Sequence, residues 1–131
     1  MSYRAIANRL GVTITVSMQE SLEWYPRLHS MIAMRLHANI LSFVHALPFV
    51  GVSYSTKTDA LLDRYNHAYR VCADDTSPEE IFTVFDRLES SHEEARLALM
   101  RDSDTMRTNL SHTLERFLTN GLEETARRRY Q

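Results

Sequence analysis

The sequence predicts an α/β fold in which helices flank an open, mostly parallel sheet of about four strands. Two observations indicate this class. Short runs rich in β-branched and aromatic residues alternate along the chain with stretches of helical spacing. Residues 36–56 also contain no Asp, Glu, Lys or Arg, as expected where a helix and a parallel strand are both buried. The length of 131 residues fits one α/β domain over positions 1–131.

The predicted elements follow one another with short connections. Strands are expected at 12–16, 31–34, 49–54 and 68–73. Helices are expected at 2–10, within 17–28 as a helical turn, at 36–47, at 58–65, from position 78, and as a long C-terminal helix from about 91 to 120. This order, with helices between successive strands, favours parallel pairing.

Local signals mark where several of these elements begin and end. Gly11 ends the first predicted helix, and Pro48 closes the apolar one, because neither residue suits a continuing helix. Ser77, Pro78 and Glu80 form a capping box, with proline at the first helical position. This is the clearest start signal in the sequence.

The composition excludes several classes of function. A net charge of −2 gives the chain no overall basic field of the kind that holds a phosphate backbone, so no nucleic-acid partner is expected. None of the three glycines belongs to a glycine-rich phosphate loop. The lone Cys72, predicted to be a small buried hydrophobe, excludes an internal disulfide and a multi-cysteine zinc site. The other histidines, at positions 29, 45, 67, 92 and 112, show no metal-ligand spacing. They are expected to be surface residues or core residues with satisfied side chains, so neither metal nor cofactor is expected.

The protein is expected in the cytoplasm. The uncharged run 36–56 is long enough to span a membrane, but Pro48 and several polar side chains interrupt it, so no transmembrane segment is predicted. The first residues lack the apolar core of a signal peptide. Arginines 127–129 would allow peripheral contact with the inner membrane face, although Glu123 and Glu124 favour a solvated helix end.

Two turns at the carboxyl edge of the predicted sheet carry the candidate site, because ligands of open parallel sheets bind there. Arg35 and His37 follow one strand, and Lys57, the only lysine of the chain, follows the next. Arginine suits a bidentate grip on phosphate or carboxylate, lysine supplies a point charge, and histidine exchanges a proton near neutral pH. The structural alternative is that Arg35 pairs with a carboxylate and His37 caps the helix.

These residues carry a resemblance to a known family. The string Met34-Arg35-Leu36-His37-Ala38, the run PFVGVSY at 48–54 and then Lys57 resemble, in order and spacing, the signature of polysaccharide pyruvyl transferases. The resemblance covers residues 24–90, including the S-P-E-E helix start. It implies a Rossmann-like domain resembling the C-terminal, donor-binding half of a GT-B glycosyltransferase.

The resemblance also implies an activity. Such an enzyme transfers the pyruvyl group of phosphoenolpyruvate to a sugar hydroxyl of a surface polysaccharide or its precursor and forms a ketal. His37 matches the family's catalytic histidine and would be the general acid. Arg35 matches the motif arginine and would hold phosphate or carboxylate during catalysis. Lys57, Ser53 and Tyr54 would be further substrate-binding groups, with phosphoenolpyruvate as donor substrate and no cofactor.

Two other functions stay open. GT-B enzymes also bind nucleotide sugars in this crevice, although no acidic residue is clearly placed at a strand end to hold a ribose. Family members are longer and carry an N-terminal domain, so the chain also fits a fragment that is inactive alone, or a non-catalytic interaction module.

Several partners follow from these readings. The saccharide acceptor, which can be lipid-linked, would bind in a groove lined by Trp24 and Tyr25. The favoured alternative is that these two aromatic rings pack in the core. A second copy of the chain, or a separately encoded N-terminal half, would cover an apolar stripe on the last helix. The stripe consists of Leu110, Leu114, Phe117 and Leu118.

Overall fold

The computed structural model of the protein describes Ala5, Arg9, Gly11 and residues 17–129. Within this part of the chain, three parallel strands lie in sequence order across an open sheet: β1 (Met31–Ala33), β2 (Phe49–Ser53) and β3 (Arg70–Cys72). These confirm three of the predicted strands. The strand predicted at 12–16 and most of the helix predicted at 2–10 lie outside the described residues, so the described sheet has three strands rather than four.

Helices flank the sheet as the sequence predicts. They are α1 (Met18–Trp24), α2 (Leu36–Val44), α3 (Thr56–Arg64), α4 (Pro78–Ser90) and α5 (His92–Arg129), with 3-10 turns at Tyr25–Arg27 and Ala73–Asp75. Serine side chains begin three of them: the Oγ atoms of Ser17, Ser55 and Ser77 accept from backbone N–H groups three residues later, at 3.2, 3.3 and 3.3 Å. The start predicted at Ser77 is thereby confirmed.

The last helix is longer than the sequence predicts. α5 passes through Gly121 and reaches Arg129, whereas its end is expected near position 120. An exposed glycine costs a helix only about 1 kcal/mol relative to alanine, so it does not by itself end one. Residues 110–129 are all exposed, and the stripe predicted on this helix is uncovered by the described part of the chain.

The core lies on both faces of β2, whose five residues are all buried. Phe49 and Val50 point to opposite faces because side chains alternate along a strand. The two clusters are Ala33, Phe43, Phe49, Leu62 and Leu99, and Val50, Leu88 and Ala95. Burial on both faces explains why residues 36–56 carry no charge.

His67 is a core residue with a satisfied side chain, as the sequence predicts. It precedes β3, is 8% exposed, and its Nε2 donates to the Phe49 carbonyl at 2.9 Å. Its ring stacks on the Phe49 ring with centroids 4.1 Å apart and meets the Phe43 ring edge-on at 5.5 Å. Burial lowers the pKa of His67 to about 4, although the hydrogen bond to the Phe49 carbonyl acts in the opposite direction.

Two other expectations concern exposure. Cys72 is exposed, so its predicted burial was wrong; it is the last residue of β3, which lies at the edge of the described sheet. In the described part of the chain, every helix is too short or too polar to cross a membrane.

Candidate functional site

The candidate site lies at the carboxyl edge of the sheet, where β1 and β2 end side by side. Ala33 ends β1 and pairs with Gly51, so β2 continues two residues further, to Ser53, before the chain leaves the sheet. α2 then begins at Leu36 and α3 at Thr56. Both helix N-termini therefore open onto this edge, where backbone N–H groups and the helix dipoles favour an anion.

A buried asparagine fixes the turn that presents Arg35. Asn39 is fully buried, and its Nδ2 donates to the backbone carbonyls of Arg35 at 2.8 Å and of Ala33 at 3.3 Å. These bonds tie the first turn of α2 to the end of β1. Sequence reasoning gave Asn39 no role, although an amide inside an uncharged run signals a buried polar group that must find partners.

Gly51 makes room for this asparagine. A Cβ atom at Gly51 would lie 2.9 Å from Asn39 Oδ1 and 2.9 Å from Leu62 Cδ1, which is closer than van der Waals contact allows. Asn39 Oδ1 accepts no hydrogen bond from the residues that the structure describes. The glycine in the predicted strand 49–54 therefore serves the close approach of α2 to β2.

Arg35 and His37 lie together in the lining of one apolar groove, hereafter the α1–α2 groove. Both side chains are exposed, and Arg35 stands at the N-cap position of α2 without a side-chain capping bond. The groove has a volume of about 530 Å³, and its apolar lining includes Trp24, Tyr25, Leu28, Met31 and Leu41. The described residues offer Arg35 no carboxylate partner and His37 no capping role, so the structural alternative has no counterpart there.

The remaining predicted site residues lie at or just beyond the end of β2 and outside the α1–α2 groove. Ser53 is buried, and its Oγ donates to the backbone carbonyl of Ser55 at 3.2 Å, so its proton serves the local turn. Tyr54 is 52% exposed, and Lys57 is exposed in the first turn of α3. The structure thus unites Arg35 with His37 and sets Ser53, Tyr54 and Lys57 at the neighbouring strand end.

The two aromatic residues before β1 have different environments. Tyr25 is buried and its ring stacks on His45 with centroids 5.3 Å apart; burial raises the pKa of its hydroxyl. Trp24 is 39% exposed, with the Arg27 guanidinium 5.8 Å from its ring centroid. The predicted packing in the core is therefore confirmed for Tyr25 and was wrong for Trp24, whose ring presents an apolar face to the groove.

Comparison of the chain with protein-family models, with curated proteins and with solved structures finds no match. The geometry of the carboxyl edge, with an arginine and a histidine beside two helix N-termini, suits a small anion that also takes or gives a proton.

Proposed function

We propose that this chain is the donor-binding, Rossmann-like half of a pyruvyl transferase with GT-B architecture, and that it binds phosphoenolpyruvate at the carboxyl edge of β1 and β2. The observation that carries the proposal is the meeting of Arg35 and His37 in one groove at the start of α2. An exposed guanidinium without an ion-pair partner among the described residues is available to an anionic ligand. The substrate class comes from the resemblance of the Met34–Ala38 motif, which contains these two residues, to the signature of pyruvyl transferases.

The donor would be held by its charges. Arg35 would take the phosphate or carboxylate of phosphoenolpyruvate in a bidentate grip, and the N-terminus of α2 would add partial positive charge. Lys57, at the start of the neighbouring helix, would supply a further point charge. The two anionic groups of the donor match these two neighbouring helix starts.

His37 would then act as general acid. Its protonated imidazole donates a proton to the methylene carbon of phosphoenolpyruvate, and positive charge develops at the adjacent carbon. Two sugar oxygens form bonds to that carbon and phosphate departs, which gives the ketal. One hydroxyl proton returns to His37 and the other leaves with phosphate or solvent. The half-exposed Trp24 ring offers a face for the acceptor sugar.

Donor binding is the direct test, because Trp24 is the only tryptophan of the chain and lines the same groove. Phosphoenolpyruvate is expected to change its fluorescence with saturation. Arg35→Ala is expected to weaken binding about 10–100-fold, the value of one or two charge-assisted hydrogen bonds. Arg116→Ala removes the same charge from the exposed end of α5 and is the matched control. Equal losses in both variants would show only nonspecific charge attraction and refute the site.

Transfer itself tests the role of His37. With an acceptor sugar and a partner that completes the cleft, His37→Ala is expected to abolish ketal formation while donor affinity changes less than in Arg35→Ala. His112→Ala, which removes an exposed histidine from α5, should leave transfer unchanged. Normal pyruvylation by the His37→Ala protein would refute the assignment.

One observation favours a nucleotide sugar as the second candidate ligand. Asp74 and Asp75 follow β3 directly, in the 3-10 turn Ala73–Asp75, and so stand at the same edge of the sheet. Carboxylates at a strand end hold ribose hydroxyls in dinucleotide-binding folds. Titration with uridine diphosphate glucose beside phosphoenolpyruvate separates the two candidates. Tighter binding of the nucleotide, lost in Asp74→Asn, would overturn the pyruvyl-transfer proposal.

A further inference from the structure

The opposite, amino edge of the sheet carries a cluster of His29, Glu89 and His92, hereafter the histidine cluster. His29 precedes β1, whereas Glu89 and His92 lie on either side of the junction between α4 and α5. One nitrogen of each ring and one carboxylate oxygen all lie within 4.8 Å of one another. The fold thus joins metal-ligating groups that stand about 60 residues apart in the chain.

The contacts around this cluster orient its members. His92 Nε2 donates to the backbone carbonyl of His29 at 2.8 Å, which leaves the Nδ1 lone pair of His92 free to bind. Ser30 Oγ donates to Glu89 Oε1 at 2.5 Å, so the other carboxylate oxygen, Oε2, faces His29 Nε2 at 3.0 Å. A backbone carbonyl on one histidine and a hydroxyl on the carboxylate are the outer partners that metal ligands commonly have.

We propose that the histidine cluster binds Zn²⁺ through His29, His92 and Glu89. Two imidazoles and one glutamate are a known three-ligand set for zinc, whose ligand atoms stand about 3.3 Å apart in a tetrahedral site. His29 Nε2 and Glu89 Oε2, which lie 3.0 Å apart, are already close to that spacing. Zinc takes the place of the proton that His29 Nε2 shares with Glu89 Oε2, and this proton is released to solvent.

Binding needs one adjustment. The rings of His29 and His92 stack in parallel, 3.8 Å apart between centroids and 3° between planes, so their lone pairs do not yet converge. The His29 side chain is 68% exposed and can tilt toward the ion, while His92 and Glu89 are held by their outer partners. The position left for a fourth ligand adjoins a groove of about 410 Å³ that both histidines line, so water or a small ligand completes the shell.

Calorimetric titration of the chelator-treated full chain with Zn²⁺ tests this site. We expect one ion per chain and a higher thermal unfolding midpoint with zinc. Co²⁺ in place of Zn²⁺ should give the absorption bands of tetrahedral cobalt. Glu89→Gln and His92→Ala should each lower the zinc affinity by more than 100-fold, beyond the roughly 10–100-fold loss typical of an outer partner such as Ser30.

The control is a second histidine–carboxylate pair, His112 and Glu115, which lies 4.0 Å apart on the exposed surface of α5. His112→Ala should leave zinc binding unchanged. Circular dichroism verifies that each variant folds. If His92→Ala does not fold, Glu89→Gln still tests the site, because it replaces only one carboxylate oxygen. No stoichiometric binding, equal losses in His112→Ala, or full affinity in Glu89→Gln would overturn the proposal.

Discussion

Acid is expected to destabilise the protein through His67, whose side chain is buried against Phe43 and Phe49. Burial lowers the pKa of His67 from 6.5 to about 4; the hydrogen bond to the Phe49 carbonyl opposes this, and the positive charge of Arg70 adds to it. Because a protonated imidazole would place a charge in this core, the folded protein holds the neutral form over a wider pH range than the unfolded chain does.

The sign and size of the effect follow from these two values. The unfolded chain takes up a proton on His67 near pH 6.5, and the folded protein does so near pH 4. Between these values the unfolded state binds more protons, so the free energy of unfolding falls as the pH falls. The contribution is fully present above pH 6.5 and fully lost below pH 4. At about 1.4 kcal/mol per pKa unit, the total loss is about 3 kcal/mol.

Urea denaturation between neutral pH and pH 4 measures this loss. His67→Gln keeps an N–H donor for the Phe49 carbonyl but does not titrate, so its stability should depend much less on pH than that of the parent. His112→Gln, at a side chain 71% exposed, should retain the parental slope. Ser30 lowers the pKa of Glu89 from 4.5, so this carboxyl contributes only in the most acidic part of the range. Equal slopes for the parent and His67→Gln above pH 5 would refute the reasoning.

Three further perturbations are measurable. Gly51→Ala should lower the free energy of unfolding by about 1–3 kcal/mol, because the added methyl group would overpack the core. Gly121→Ala, in the exposed end of α5, should instead raise helicity and stabilise that helix by about 0.5–1 kcal/mol. Equal changes in stability for the two variants would contradict the close packing at Gly51. Burial raises the pKa of Asp102, which disfavours its charged form in the folded state. Asp102→Asn should therefore raise the thermal midpoint at neutral pH, with a gain that vanishes in acid, and an unchanged midpoint would count against this. Phe117 is 73% exposed within the apolar stripe of α5, so the chain should self-associate through this stripe, and Phe117→Glu should lower the mass measured by sedimentation. A parent protein that is monomeric at high concentration would contradict this.

The strands and helix starts were predictable because their signals are local. The β-branched and aromatic run at 49–54 and the Ser77 cap act within a few residues of the chain, and both appear where they are predicted. The end of the last helix was predicted too early, near position 120, because the glycine at position 121 weakens the helix without ending it. The predicted burial of Cys72 was wrong because residue type alone does not distinguish an edge strand from a central one.

The candidate site was predictable only in part. Arg35 and His37 were found because they follow a strand directly, and parallel topology places such residues at one edge. The contact of Asn39 with Gly51 depends on how α2 packs over β2, which no spacing along the chain specifies. The same holds for His29 and Glu89, which approach only after α4 has folded back across the sheet.

The two proposed sites lie at opposite ends of the same strands, and this separation makes them independently testable. β1 lies between His29 and Arg35 and spans three residues, and a strand of that length extends about 10 Å. Zinc bound beside His29 would therefore stand about one strand length from a donor held by Arg35, well beyond the roughly 2 Å at which zinc coordinates an oxygen atom. The two grooves share Tyr25 and Leu28 in their linings, but substitutions separated by more than about 7–10 Å usually have additive effects. Glu89→Gln is accordingly expected to weaken zinc binding and leave phosphoenolpyruvate affinity unchanged, while Arg35→Ala is expected to weaken phosphoenolpyruvate binding and leave zinc affinity unchanged. Loss of both ligands in either single variant would mean that the sheet between them had been disturbed.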